Sequence, residues 1–453
     1  MSHEKINLCK SNKFLYKSIL VIILIIITFS FTNDILFTTT SPSFTTVNIT
    51  TTVTTTTIPL PSPSFDSEEK FLTYLPHNGF HNQRLALING IILSYITNRT
   101  LIMPPILINY APGTSTFYSL YNVLSTILEA KQYRKDHCYK DDENDEHNFC
   151  NNTLYSIYDD FTMLNWDQLF DFNEIRKHVK IVNRGYDFSL DNLKYNFNIG
   201  ENDTYLFIED KPYKFEFFDN DNSTRQINKV FKKKFFISNL KKIDEKLLHL
   251  SSLFSSKKII LENQDNIEFR QFIHNKLMVN DPRLLNISDK IIKKLGGKGN
   301  YIGLHIRVLD GFFRDVAEHN KDLLYNELMS YLLKSDLLRK SKIFFKYNLK
   351  ECVANNIPII YIATDSKDRR NRLRKFYKKI PCVFSLIDFS KDLDTLSYSS
   401  SDFDKDVNLK DFYVPIIDLL ITAHGKVFFG TPKSTYSEMA NEVNNLSNGK
   451  NAI

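Results

Sequence analysis

The sequence predicts an α/β fold of two lobes, following an N-terminal membrane anchor and a stalk. Three observations predict it. Short aliphatic runs alternate with helical patterns through the second half of the chain, which argues for parallel α/β layers. The length, 453 residues, exceeds what one compact domain usually holds. Hydrophobic residues make up 42% and aromatic residues 13%, enough for real cores.

The chain opens on a lysine-flanked apolar segment. Lys5, Lys10, Lys13 and Lys17 precede a nearly unbroken run, Ile19–Phe31, and no small-residue cleavage site follows. A cleaved signal peptide and an uncleaved anchor both fit, and the anchor is the preferred reading. Residues 1–17 then form a cytosolic tail and 18–37 a single span, oriented by the lysines in front of it. The run is short for a full span, but flanking residues from Phe14 to Phe37 extend it. Thr38–Ser64 is rich in Thr, Ser and Pro, nearly uncharged, and has little to bury. Residues 38–64 therefore read as an extended, O-glycosylated stalk. The expected location is a secretory-pathway membrane, ER or Golgi, with the body in the lumen.

Cysteine usage agrees with that topology. Cys9 falls on the cytosolic side, and Cys138, Cys150, Cys352 and Cys382 fall in the body. Four cysteines can pair in three ways. The preferred pairing is Cys138–Cys150, closing a short acidic loop, with Cys352–Cys382; four buried thiols are the alternative. Asn-x-Ser/Thr sequons starting at Asn48, Asn98, Asn151, Asn202, Asn222, Asn286 and Asn445 suit a lumenal body.

Residues 65–297 are expected to form one lobe. Leu85, Ile88, Ile92 and Tyr95 mark a helix face over Arg84–Thr97. Leu101–Met103 reads as a buried strand stopped by Pro104-Pro105. Trp166–Val182 reads as a helix and then a strand, whereas 194–250 carries no clear pattern. Leu284, Ile287, Ile291 and Leu295 form another helical stripe, ended by Gly296-Gly297. Residues 298–446 form the second lobe, and 447–453 a tail. Its strands are Tyr301–Arg307, Ile359–Ala363, Val383–Ile387 and Val427–Phe429. Its helices are Leu323–Leu349, Lys367–Lys379, Tyr413–Ala423 and one from Thr435, with a Ser/Asp-rich loop over Ser390–Asp411.

Several function classes are disfavoured. The net charge is +6, from 58 basic and 52 acidic residues, and no sustained basic stripe is interleaved with aromatics. Nucleic-acid binding is therefore a poor fit. Asp-x-Asp pairs occur at Asp219/Asp221, Asp392/Asp394, Asp402/Asp404 and Asp404/Asp406, scattered through polar loops. Such scatter reads as chance, so no metal is assigned. There is no CxxC, Cys/His zinc spacing, GxGxxG, Walker loop or GxSxG.

Three short segments carry chemistry. In YIGLHIR, alternate residues of a strand face the same side. His305 and Arg307 thus point together, while Ile302, Leu304 and Ile306 pack behind. A guanidinium fork can make two parallel hydrogen bonds to phosphate oxygens. In HNGFHNQR, His77–Arg84, Gly79 allows an unusual turn and Asn82 sits where a helix N-cap belongs. The helix start beyond it is a ready anion site. In GTPKSTYSEM, Gly430–Met439, Thr435 and Glu438 fit a capping box, and the Ser434 and Thr435 hydroxyls suit phosphate oxygens. Asp365, after a strand, and Asp418, in a helix, are candidate acceptors for a base or ribose. Each segment alone is equally an ordinary strand end or helix start.

In order along the chain, these residues resemble the GDP-fucose O-fucosyltransferase superfamily, and within it fungal membrane-tethered relatives of the protein O-fucosyltransferases. Gly79–Pro105, Asn165–Phe172, YIGLHIR, YIATD and VPIIDLLITAHGKVFFGTPKSTYS carry the resemblance. It implies two Rossmann-like lobes in the GT-B arrangement, GDP-fucose as donor, inversion at the sugar carbon, and no metal or other cofactor. The implied acceptor is a hydroxyl on a protein or glycan. Gly79, Phe80, His81 and Asn82 match the donor-phosphate loop, and His305 and Arg307 the HxR. Asp418 matches an acidic nucleotide contact, and Ser434 and Thr435 the hydroxyls at the last helix. Arg307 and Asn82 are the implied catalytic pair. Two departures stand out: the turn after Arg307 reads VLDGFF, and Asn89 stands where some relatives place a glutamate, so no base is assigned. The alternative is a non-catalytic glycan-binding or structural surface protein on a mucin-like stalk.

Overall fold

The computed structural model describes residues 68–138, 157–335, 346–396 and 398–453. The expected cytosolic tail, anchor and stalk lie outside these residues, as does Cys150. Among the described residues, no helix is long and apolar enough to cross a membrane. Pro63–Ile453 forms one compact unit.

Strands are numbered in chain order. They are β1 (Phe71–Thr73), β2 (Thr100–Met103), β3 (Ile106–Ile108), β4 (Thr162–Leu164), β5 (Ile181–Asn183), β6 (Thr204–Phe207) and β7 (Phe215–Phe218). Next come β8 (Lys233–Phe236), β9 (Leu247–Leu250), β10 (Ile259–Ile260), β11 (Ile302–Ile306), β12 (Ile359–Thr364), β13 (Cys382–Phe384) and β14 (Val427–Gly430). One parallel sheet runs β5-β2-β1-β9-β6, with Phe71 opposite Thr100 on one side and Leu247 on the other. A second parallel sheet runs β13-β12-β11-β14. A small parallel sheet, β10-β7-β8, and an antiparallel pair, β3-β4, complete the set.

The order of the second sheet places the site. Its first strand, β11, is paired on one side with β12 and on the other with β14. The chain thus builds outward one way and then jumps to the opposite edge. In open α/β sheets, ligands sit outside the carboxyl ends of strands at such a reversal. Here that point is the β11/β14 join, where Arg307 follows β11 and the Gly430–Thr435 loop follows β14.

Alternation along β11 explains its two-sided packing. Ile302, Leu304 and Ile306 bury against Leu324, Leu328 and Leu332 of the Ala317–Lys334 helix. Gly303 faces the other way, towards the Lys410–Ala423 helix. A Cβ built on Gly303 would lie 1.9 Å from the Thr422 carbonyl oxygen. The absent side chain is what lets this helix lie directly on the strand.

Other elements follow their local chemistry. The Pro282–Lys294 helix has Pro282 at its first position, and the Asp281 carboxylate accepts the Arg283 N–H. Leu284, Ile287 and Ile291 are buried, and Gly296 and Gly297 take positive φ after it, at 102° and 98°. Cys352 and Cys382 form a disulfide. Cys138 is also disulfide-bonded, and its expected partner, Cys150, lies outside the described residues.

Several expected elements differ. The expected Arg84–Thr97 helix spans Phe80–Thr97. The region 194–250 holds four strands, β6 to β9, each of only four residues. The expected Lys367–Lys379 helix is two short pieces, Arg369–Arg372 and Arg374–Lys379. Around Trp166 there are short 3₁₀ turns rather than a helix, and β13 ends at Phe384. The Lys410–Ala423 helix starts three residues before the expected Tyr413, and short helical turns occupy the Leu386–Leu393 part of the expected loop.

Candidate active site

The site is built from two long helix starts and one strand end. The Phe80–Thr97 helix follows β1, and the Thr435–Ser447 helix follows β14. The Thr435 hydroxyl donates to the Asn82 side-chain oxygen at 2.9 Å, across 353 positions of chain. Asn82 and Thr435 lie in the first turns of these two helices, so their N-terminal ends, with open backbone N–H groups, come together there.

The first start differs from its expected form. Gly79 is the N-cap, with φ −65°, an ordinary extended conformation; Asn78 before it takes the positive angle, 61°. Asn82 does not cap: it lies within the first turn, its N–H donating to the Gly79 carbonyl at 2.9 Å. No side chain caps this helix. Gln83 fixes the loop instead. Its amide nitrogen donates to the carbonyls of Asn78 and Leu107, and its oxygen accepts the Leu107 N–H at 2.8 Å. The loop is thereby tied to β3. Phe80 turns inward, stacked near Trp166 and edge-on to Phe412 at 5.3 Å.

At the other start, the expected capping box is absent. Ser434 is the N-cap, and its side chain makes no cap bond. Its hydroxyl is buried without a partner. Thr435 turns to Asn82 rather than to Glu438.

The β11 end sets Arg307 against the loop that leads into the second start. The Arg307 N–H donates to the Thr431 hydroxyl at 2.9 Å, and that hydroxyl donates to the His305 carbonyl at 2.9 Å. The Arg307 guanidinium pairs with Asp310, with Nε 2.8 Å from its carboxylate, and lies over the Phe313 ring at 4.5 Å. Lys433 lies over Phe312 at 5.3 Å. The VLDGFF turn therefore has a physical role: its acid and two rings hold the cations on either side of the join.

Two histidines lie beneath. The His305 ring stacks on Tyr436 at 4.1 Å, and its Nδ1 is 2.7 Å from the Ser437 hydroxyl. His81 meets Tyr436 edge-on at 5.2 Å, and its Nδ1 is buried without a partner. Burial, and then the positive charges of Arg84 and Arg307, push His81 down to about 3. Burial, Arg307 and His81 do the same to His305, also to about 3. Both rings are neutral near pH 7.

The two acids do not stand free. The Asp365 carboxylate accepts the N–H groups of Val308 and Leu309 at 2.9 and 3.0 Å, shaping the turn after Arg307. Asp418 is buried and accepts the Tyr361 hydroxyl at 2.6 Å. Burial pushes it up to about 6, against the opposing pull of Tyr361 and Arg369. Asp418 is thus buried under Tyr361, whereas Asp365 stays exposed while it shapes the turn. Among the described residues, no group of three or more His, Cys, Asp or Glu side chains is placed to hold a metal.

One contact that the sequence did not signal braces the join. Arg84 donates to Glu442 at 2.7 Å, both buried, and His274 lies 3.2 Å from the other Glu442 oxygen. Only a covariation between distant positions would have hinted at it.

The arrangement gathers two helix starts and a strand end at a strand-order reversal, and sequence comparison supplies the family. The sequence pattern of the GDP-fucose protein O-fucosyltransferase family matches residues 148–446, and the chain belongs to that family. O-fucosyltransferase 30 of Arabidopsis thaliana is 51% identical over 43 residues, 10% of this chain and 8% of that protein. The chain thus matches under a tenth of that relative's length. The crystal structure of POFUT1 in complex with GDP covers 86% of this chain and 98% of its own, at 10% identity and a TM-score of 0.40. POFUT1 in complex with GDP-fucose covers 85% and 97%, at 9% identity and a TM-score of 0.39.

Proposed function

We propose that the chain transfers fucose from GDP-fucose to a hydroxyl acceptor, a protein Ser/Thr or a glycan, with inversion and without a metal. The observation that carries this reading is the Asn82–Thr435 hydrogen bond, which brings two helix starts together beside Arg307.

The donor diphosphate lies on the two helix starts. The open N–H groups and positive dipole ends favour an anion there. Arg307 reaches the phosphates with the donors that Asp310 leaves free. As the acceptor oxygen bonds to the sugar carbon, the carbon–oxygen bond to the diphosphate breaks, its electron pair leaves with GDP, and the acceptor's hydroxyl proton passes to the departing diphosphate. Arg307 stabilises that growing charge in a partly dry site, where aimed positive charge is strong. Asn82 holds the acceptor oxygen or a phosphate oxygen, oriented by Thr435. Neutral His305 and His81 form the floor under the ligand.

The same proposal includes the wider layout. Residues 65–297 and 298–446 act as two Rossmann-like lobes in the GT-B arrangement; β1 to β10 precede that boundary and β11 to β14 follow it. Residues 18–37 tether the body to an ER or Golgi membrane, behind the 38–64 stalk. The partners are GDP-fucose, a glycoprotein or glycan acceptor and the membrane, with no nucleic acid.

Titration calorimetry of the full-length chain with GDP and GDP-fucose, paired with a fucose-transfer assay over candidate acceptors, tests this. Nucleotide binding with transfer is expected. A chain that binds neither nucleotide is a non-catalytic surface protein, and the proposal fails.

A further inference from the structure

Net charge is unevenly placed along this chain. Of the thirteen residues from Lys367 to Lys379, eight are basic and one, Asp368, is acidic. That excess is larger than the +6 carried by the whole chain, so the remainder is close to neutral. The fold turns these charges outward. Leu373, Phe376 and Ile380 bury in the core around β11 and β12, which fixes the two short helices Arg369–Arg372 and Arg374–Lys379. The cations between them face solvent. Lys375 pairs with Asp322 at 2.7 Å, and Arg370 lies 3.7 Å from Asp388. Among the described residues, Lys367, Arg372, Arg374, Lys378 and Lys379 meet no acidic partner. Two more ammonium groups close on the segment from outside it. Lys321, itself paired with Glu318, donates to the Arg372 carbonyl at 3.2 Å, and Lys346 donates to the Ile380 carbonyl at 2.7 Å. Burial and then the Arg370 charge push Lys346 down. Crowded like charge works against a compact fold, so a face of this density points to an anion outside the chain.

We propose that the Lys367–Lys379 face is a docking surface for an anionic glycan, its charge carried by carboxylate or sulfate groups. The inference rests on the donor reading given above and narrows the acceptor to that class.

The placement fits an acceptor. The segment starts two residues beyond Asp365, whose carboxylate accepts the Val308 and Leu309 N–H groups of the turn after Arg307. A chain held on this face therefore leads to the site. The surface chemistry fits a glycan. A folded protein partner needs apolar or aromatic anchors at the centre of its interface. Among the described residues, no large apolar side chain of this segment is exposed. A small anion needs a few converging donors, whereas these cations are spread along two consecutive helices. At about 1.5 Å per helical residue such a row extends roughly 15–20 Å, which suits a polymer with repeating charges. Arginine forks match the paired oxygens of carboxylate and sulfate groups.

The test is titration calorimetry of the full-length chain at about 0.15 M salt, where weak surface attraction is screened. The probes are heparin oligosaccharides for sulfate, oligogalacturonate for carboxylate, a neutral malto-oligosaccharide and poly-glutamate. One variant combines Arg372→Gln, Arg374→Gln, Lys378→Gln and Lys379→Gln, all exposed and outside any ion pair, so the fold is kept. A control combines Lys232→Gln, Lys233→Gln, Lys241→Gln and Lys242→Gln, which are exposed elsewhere. Wild type should bind at least one anionic glycan, and the probe that binds identifies the charged group. The first variant should weaken that binding by roughly tenfold to a hundredfold, and the control by less than about threefold. Binding of neither anionic glycan overturns the inference. So does equal loss in both variants, equal binding of the malto-oligosaccharide, or tighter binding of poly-glutamate than of either glycan. The bound oligosaccharide should also slow fucose transfer to the acceptors found by screening; no slowing overturns its place as the acceptor class. A GDP titration of the same wild-type chain reports on the donor reading alone. Anionic glycan bound without GDP sinks that reading and leaves the face standing; GDP bound without anionic glycan sinks the face alone.

Discussion

Arg84 and Glu442 form a buried ion pair, 2.7 Å apart, that joins the Phe80–Thr97 helix about one turn in to the Thr435–Ser447 helix about two turns in. Removing one partner leaves the other charged and dry. Arg84→Met is therefore expected to cost about 3–5 kcal/mol in urea unfolding. Pairing it with Glu442→Leu should recover most of that loss. A single variant as stable as wild type would mean that the pair is solvated in solution.

Acid should destabilise this fold early, for two reasons of the same sign. Burial pushes His77 down to about 4, and His249 and His305 down to about 3. The unfolded chain takes up protons at these positions below about pH 6.5, and the folded chain does not. Stability is thus lost from about pH 6.5 downward, by up to ~1.4 kcal/mol per pH unit for each such ring. Glu442 adds a later step: burial pushes it up, but Arg84 and His274 outweigh burial and hold it at about 2. Its contribution is present above about pH 4.5 and fades as pH falls towards 2. Urea midpoints at about pH 7, 6 and 5 should fall steadily, and a flat series would contradict the buried neutral rings.

Arg307→Ala should leave the protein folded, since its side chain leans on exposed Asp310 and half-buried Phe313 rather than on the core. Fucose transfer should fall roughly a hundred- to thousandfold, the usual effect of losing an aimed charge worth about 2.7–4 kcal/mol. Thr435→Val, which removes one neutral hydrogen bond to Asn82, should cost much less, about 0.5–1.5 kcal/mol. Single-turnover rates and a thermal melt on each variant decide it. Wild-type-like turnover in Arg307→Ala would end the mechanism.

Gly303→Ala should be among the most damaging small changes. The added carbon would meet the Thr422 carbonyl oxygen at 1.9 Å, which is backbone and cannot rotate away. The Lys410–Ala423 helix must lift from β11, at a cost of about 1–3 kcal/mol or more. Because β11 carries Arg307, GDP affinity should fall with it. Unfolding and GDP titration report the two effects separately.

Much of the site was legible because strand and helix ends announce themselves locally. YIGLHIR alternates cleanly, and Gly430–Thr435 breaks a strand before a helical stripe, so the places of Arg307 after a strand and Thr435 at a helix start could be read. The missed parts have physical causes. The Phe80–Thr97 helix starts without a side-chain cap, so the Asn82 signal pointed three residues too late. Strands β6 to β9, each four residues long, are too short to show alternation. Asp365 and Asp418 looked free because their partners, two backbone N–H groups and Tyr361, come from other strands or their ends. The Asn82–Thr435 and Arg84–Glu442 contacts span more than 350 positions, which no local pattern reports.

That span has a consequence for biosynthesis. A ribosome delivers Asn82 early and Thr435 near the finish, so for most of translation the Gly79 loop has nothing to close against. On the proposed reading, the nascent polypeptide would be inert towards its donor until the final helix docks. Truncated products, even well-collapsed ones, would carry an idle half of the machinery.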